Sequence, residues 1–181
     1  NARYLPGIEL PSALACTADL SAAATADLLS AATPIAALPE LVQRLLDVGA
    51  RAPLLWLSKG FIAAPDRAAG CALAHQVIAP RWPRPVGIVS GPSFAVEVAQ
   101  GLPTAVAVAA TDAALARDVA ALLRGDTLRA YESDDIAGVE MTAADVPGIG
   151  LPHDPHAAVG QVREAFVEVV DFVDGHVATV A

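Results

Sequence analysis

At 181 residues the chain is long enough for one core of ordinary size, or one domain with an appendage. Hydrophobic residues make up 55% of it and charged residues 17%, which excludes a disordered linker; aromatics are only 4%, so the core must be built from small side chains. The net charge of −9, with no cluster of lysine and arginine, excludes a nucleic-acid footprint, although a few backbone N–H groups and one cation suffice for a local anion site.

Residues 1–14 are punctuated by Pro6-Gly7 and Pro11 and read as an extended connection. The first residue is Asn1, and no basic segment followed by an apolar one opens the chain. The sequence is therefore expected to begin inside a longer coding sequence or to follow processing. Residues 28–32 form a short apolar run ending at Thr33-Pro34. Leu38, Leu41, Val42, Leu45 and Leu46 then share one face of a predicted helix, with Pro39 in its first turn and Gly49 at its end. Leu54-Leu55-Trp56-Leu57 is a fully apolar strand candidate ending at Ser58-Lys59-Gly60. A helix is predicted over 66–78 with Ala69, Leu73 and Val77 inward. A strand follows at 86–90, a short helix at 94–100 and a strand at 105–109. A helix capped by Thr111 is expected to run to Arg124, with Leu115, Val119, Leu122 and Leu123 on its apolar side. Residues 128–131 are one more strand. After Met141 the sequence is turn-rich, and 159–173 is predicted to be an amphipathic helix with Glu164, Glu168 and Asp171 on its solvated side.

Strands without polar alternation, separated by helices, imply a sheet buried on both faces: a mainly parallel, doubly wound α/β fold. No apolar stretch is long enough to span a bilayer. Cys16 and Cys71 lie in no motif and read as small core residues in a reducing, cytoplasmic compartment.

Chemistry concentrates at two strand ends, where ligands of such sheets bind. Lys59 is the only lysine, against ten arginines. A compact ammonium followed by a glycine suits contact with a phosphate or carbonyl oxygen, although a solvated loop lysine is the plain alternative. At the second end, Gly91-Pro92-Ser93 follows the strand at 86–90. Gly91 leaves the backbone approachable, Pro92 stiffens the bend, and Ser93 is placed to cap a helix beginning at Phe94, whose free N–H groups suit a phosphate ester. An ordinary capped turn is the alternative there. His153-Asp154-Pro155-His156 has no third nitrogen or sulfur ligand nearby, so no metal site is expected. His75 and His176 read as structural or solvated.

Several motifs occur in order: Asn1-Ala2-Arg3-Tyr4-Leu5-Pro6-Gly7, Ser58-Lys59-Gly60, Ser90-Gly91-Pro92-Ser93-Phe94-Ala95 with Gly101-Leu102-Pro103-Thr104, and Arg129-Ala130-Tyr131 with Gly138-Val139-Glu140. Over residues 1–140 the chain thereby resembles the bacterial NAD(P)-dependent sn-glycerol-3-phosphate dehydrogenase family. The resemblance implies an incomplete Rossmann-like domain over 1–141 that lacks its first strand and glycine-rich turn. Residues 142–181 would form a divergent tail with one helix. It implies hydride transfer between NAD(P)H, as NAD or NADP, and dihydroxyacetone phosphate, giving sn-glycerol 3-phosphate. By the same resemblance Lys59, Gly91 and Ser93 contact the substrate, and Lys59 and Ala95 the cofactor.

The chain departs from the family at Ile35, where a serine is common. It also departs after Glu140, where Met141-Thr142-Ala143-Ala144-Asp145 replaces a segment leading to a catalytic lysine. No residue matches that base, so turnover by this chain alone is expected to be negligible. The other reading is a non-catalytic remnant that binds a phosphate ligand or serves assembly. An exposed sheet edge would invite self-association into a homo-oligomer.

Overall fold

The architecture follows from three strands that carry apolar residues on both faces. In the computed structural model, which describes residues 5–9, 14–144, 169–170 and 177–180, Leu54–Trp56 and Val86–Ser90 are buried at every position, as is Leu29–Ala31. Such strands need a layer on each side.

In chain order the elements are β1 (Leu14–Thr17), β2 (Leu29–Ala31), α1 (Leu38–Asp47), β3 (Leu54–Trp56), β4 (Ile62–Ala63), β5 (Cys71–Ala72), α2 (Ala74–Ile78) and β6 (Val86–Ser90). There follow α3 (Ala95–Ala99), β7 (Thr104–Ala110), α4 (Ala113–Leu123), β8 (Leu128–Ser133), α5 (Ile136–Ala144), β9 (Val169–Val170) and β10 (Val177–Val180). Among the described residues eight strands form one sheet in the order β1-β10-β9-β2-β3-β6-β7-β8, and β4 and β5 pair separately. The pairs β9–β2, β2–β3, β3–β6 and β7–β8 are parallel.

Besides the antiparallel pairs β1–β10 and β10–β9, the exception within the mainly parallel sheet is the strand β7. It runs antiparallel to β6, in the register Gly87↔Ala110 to Ser90↔Ala107. The short helix α3 and the turn through Gly101, at φ +71°, bring the chain straight back instead of carrying it round a crossover.

One face of the sheet packs Leu29, Ala31, Leu54, Trp56, Val86 and Ile88 against α1 and α2. The other packs Leu55, Val89, Val106, Val108 and Ala130 against α4. The predicted strand and helix at 28–32 and 38–48 are observed as β2 and α1, with Leu38, Leu41, Val42 and Leu45 buried, Pro39 in the first turn and Gly49 at φ +84°.

Several local expectations are corrected. Residues 66–72 are not helical: Gly70, at φ +67°, closes a turn that pairs β5 antiparallel with β4, and only Ala74–Ile78 is helix. The N-cap of α4 is Asp112, whose carboxylate accepts from Leu115 N at 3.0 Å, while the Thr111 hydroxyl bridges Val86 N and O. On α4 Val119 is buried and Leu115 and Leu123 pack partly buried beside it, but Leu122 is 67% exposed, and Ala116 and Ala120 are buried against the sheet. In the segment predicted helical over 159–173, Val169–Val170 is strand β9 beside β2, and the remainder lies outside the described residues. Cys16 is exposed on β1 and Cys71 half-buried, so Cys16 is not a core residue.

The antiparallel step rests on a missing side chain. A Cβ on Gly87 would lie 2.6 Å from Ala109 O and 2.9 Å from Ala110 Cβ. Gly87→Ala is expected to lower stability by roughly 1–3 kcal/mol through overpacking. Urea unfolding should show an earlier midpoint at unchanged slope, and an unchanged midpoint would contradict the close approach.

Candidate functional site

Parallel pairing carries the tips of β2, β3 and β6 to one end of the sheet. The β2–β3 ladder continues past the strands, with Leu57 N donating to Ala31 O at 3.0 Å and Ser58 Oγ donating to Thr33 O at 2.5 Å. Gly60 then turns the chain at φ +109°, a conformation closed to residues with a side chain. Between these anchors Lys59 projects across to the next tip, where its Nζ donates to Gly91 O at 2.9 Å. The lysine and the Gly91 turn, singled out separately in the sequence, are thus in direct contact.

The surroundings of Lys59 set its chemistry. The side chain is exposed at the rim, yet packing around its stem and head withdraws the ammonium from part of its water and pushes its pKa below the ordinary lysine value. Its one hydrogen bond is to a neutral carbonyl, and among the described residues no carboxylate pairs with it. A partly desolvated cation without a counter-ion attracts an anionic ligand.

Gly91 is needed for a reason other than ligand access. A Cβ there would lie 2.5 Å from Ala105 O and 2.9 Å from Val106 Cα, so the antiparallel β7 occupies the space. Ser93 is half-buried and does not cap the following helix. Phe94 occupies the cap position without a side-chain bond, and α3 has only five residues. The free helix start proposed for a phosphate is therefore weak, and the ammonium is the stronger anion donor. Ala95, the first residue of α3, is buried.

Two features escaped the sequence reading. Glu140 on α5 is 2% exposed, and both its oxygens are bonded to one residue of α2: Oε1 accepts from His75 N at 3.0 Å, and Oε2 meets His75 Nδ1 at 2.5 Å. A carboxylate at that depth persists only when so satisfied. The sequence separation of 65 between the partners leaves no local signal for the pair. Secondly, the buried Thr33 hydroxyl, at the tip of β2, has no hydrogen-bond partner among the described residues, as is also true of Ser30 Oγ and Trp56 Nε1. Among the described residues no group of three or more His, Cys, Asp or Glu is placed to hold a metal ion, and no helix is long and apolar enough to cross a membrane. His153, Asp154 and His156 lie outside the described residues.

Against known families, residues 1–116 match the N-terminal region of NAD-dependent glycerol-3-phosphate dehydrogenase. The chain belongs to this family. It is 45% identical over 147 residues to a glycerol-3-phosphate dehydrogenase [NAD(P)+] of Dechloromonas aromatica, covering 80% of this chain and 43% of that protein. The enzyme of the same name from Mesorhizobium japonicum is 41% identical over 182 residues, covering 93% of this chain and 51% of its own length. The chain thus spans about half the length of the curated relatives it matches.

Among solved structures, the glycerol-3-phosphate dehydrogenase of Coxiella burnetii superposes with a TM-score of 0.69 at 33% identity, over 79% of this chain and 43% of that one. That of Plasmodium falciparum superposes at 0.68 with 21% identity, over 79% and 40%, and at that identity shows the fold alone. The mixed, mostly parallel sheet with helices on both faces is accordingly Rossmann-like.

The lowered pKa gives a direct check. An anion beside Lys59 favours the charged form and opposes desolvation, so saturating inorganic phosphate should raise the midpoint of Lys59 titration towards the ordinary lysine value. With a single lysine in the sequence, one 13Cε NMR signal reports it. A midpoint indifferent to phosphate would show that no anion settles there.

Proposed function

We propose that this chain is the nucleotide-domain part, over 1–141, of an NAD(P)-dependent glycerol-3-phosphate dehydrogenase that interconverts dihydroxyacetone phosphate and sn-glycerol 3-phosphate, with 142–181 as a divergent tail. The observation that carries the reading is the Lys59–Gly91 contact, which joins two family motifs into one cationic crevice at the strand tips. In this reading Lys59 receives the phosphorylated triose together with Gly91 and Ser93. Lys59 and Ala95 border the nicotinamide cofactor, as NAD or NADP.

The residues present fit a polar cofactor. The orphaned Thr33 hydroxyl lies at the tip adjoining Lys59, and a buried hydroxyl without a partner costs about 1–3 kcal/mol until something satisfies it. When bound, that group supplies the hydride. The protein's own part is electrostatic and positional: the Lys59 ammonium neutralises the anionic ligand, Gly91 O fixes the ammonium, and the apolar walls of β3 and β6 limit water at the crevice floor.

General acid–base assistance is worth roughly 10²–10⁴-fold in rate, and the sequence has no lysine beyond Lys59 to provide it. The chain by itself is therefore assigned binding with negligible turnover. The protein is placed in the cytoplasm, and the exposed edge of β8 gives a route to self-association.

Trp56, three residues before Lys59, serves as a fluorescence probe for the test. Glycerol 3-phosphate should give a saturable change that Lys59→Ala abolishes. Lys59→Arg should restore it only in part, since the bulkier planar guanidinium does not reproduce the compact ammonium. NADPH oxidation with dihydroxyacetone phosphate should stay at background. Oxidation at rates usual for whole enzymes would refute the assignment of binding without turnover. Absence of any response to glycerol 3-phosphate would leave an inert remnant.

A further inference from the structure

The course of the chain leads from the crevice to the Glu140–His75 pair. From Lys59 the chain passes through the β4–β5 hairpin into α2, and then returns to the opposite end, where β6 begins. Helix α2 therefore starts at the tip end. Strand β8 is parallel to β7, which opposes β6, so β8 finishes at the opposite end. Only Asp134 and Asp135 separate β8 from α5, which packs across β6 and β7 and so runs back towards the tips. The two helices meet where α2 begins.

The chemistry of that meeting is specific. The cap position of α2 holds Leu73, whose side chain offers no acceptor; Gln76 N donates to Leu73 O at 3.1 Å, and the His75 N–H turns to Glu140. Glu140 supplies the acceptor from another helix, taking the His75 N–H with one oxygen and the imidazole Nδ1–H with the other. The pair is nearly closed to water, at 19% and 2% side-chain exposure. Asp135 in turn holds the start of α5, its Oδ1 accepting from Gly138 N at 2.8 Å.

We propose that His75 and Glu140 are positioning residues for the strand-tip crevice: the clamp locks the start of α2 to α5 and thereby fixes the hairpin whose first residues follow Lys59, holding the ammonium at Gly91. The connecting hairpin is short and tied at both ends. Its closing turn has Ala64 N donating to Gly70 O at 2.9 Å, and Ile62 pairs with Ala72 beside the helix start. A shift of α2 is therefore passed to Gly60 and Lys59 instead of being absorbed in a loose loop. The inference rests on the reading of Lys59 as the ligand-facing group, but the clamp itself acts without ligand.

The test uses the whole chain labelled at lysine 13Cε, without ligand. His75→Ala keeps the backbone N–H bond to Glu140 and removes the ring bond; the Lys59 signal should move towards the position of an unstructured lysine, and its titration midpoint should rise. His75→Asn, whose amide can donate near the place of Nδ1, should restore both. Should His75→Ala not fold, His75→Leu fills the space without donating and is expected to give the same displacement. A folded His75→Ala or His75→Leu protein with the wild-type Lys59 signal, melting lower but titrating alike, would overturn the proposal and leave a purely structural bond. So would failure of His75→Asn to restore the signal. Glycerol 3-phosphate is added to the wild type separately. Silence in that arm counts against the proposed function, whereas the ligand-free signal alone decides the clamp.

Discussion

Everything at the strand tips depends on the parallel pairing of β3 with β6. Trp56 stands opposite Ile88 in that ladder, and Lys59 and Gly91 each lie three residues beyond their member of the pair. The two tips are therefore level, and a side chain as long as lysine spans the gap between neighbouring strands with its nitrogen on the carbonyl. A slip of one residue would turn Lys59 to the other face and replace Trp56 by Leu55 or Leu57 in the larger core. Register is held because both faces are apolar and differently filled: Leu54 and Trp56 face α1 and α2, while Leu55 faces α4. The geometry of the strand tips is thus a by-product of core packing.

The strands that place the site were legible because each is a continuous apolar run bounded by Gly, Pro or Ser, and α1 because its buried face repeats at helical spacing. What escaped was set by neighbours instead of by local pattern. Residues 66–72 contain alanines at plausible helical spacing, yet Gly70 in a left-handed conformation turns them into a hairpin. Thr111 looks like a cap, but its hydroxyl is engaged by Val86 on the adjoining strand, and Asp112 takes the role. On α4 the apolar pattern placed Leu115, Val119 and Leu123 rightly but missed Ala116 and Ala120, because with few aromatics to fill space the layers close up on small side chains too. Lys59 was legible from rarity alone, while Glu140 and His75 carried no local mark of their burial.

The electrostatics of the crevice make sense only locally. A chain of net charge −9 repels anions at long range. Within a screening length of about 8–10 Å, however, nearby groups dominate. Around Lys59 those groups are a carbonyl and apolar strand ends, and among the described residues no carboxylate pairs with the ammonium.

Gly91 serves two masters. Its missing side chain admits the backbone of β7 at Ala105, and its carbonyl receives Lys59. Any side chain at this position would push β6 and β7 apart and displace the carbonyl in the same movement, so loss of binding there would carry no information about ligand contact. The carbonyl oxygen, moreover, holds the ammonium whether or not an anion is present, leaving two of its three N–H donors free to turn towards a ligand. Discrimination between folding and binding must therefore be sought at Lys59, which projects from the tip without supporting the core. The glycine that marks the family motif is, in physical terms, the place where sheet closure and the position of the Lys59 ammonium become one constraint.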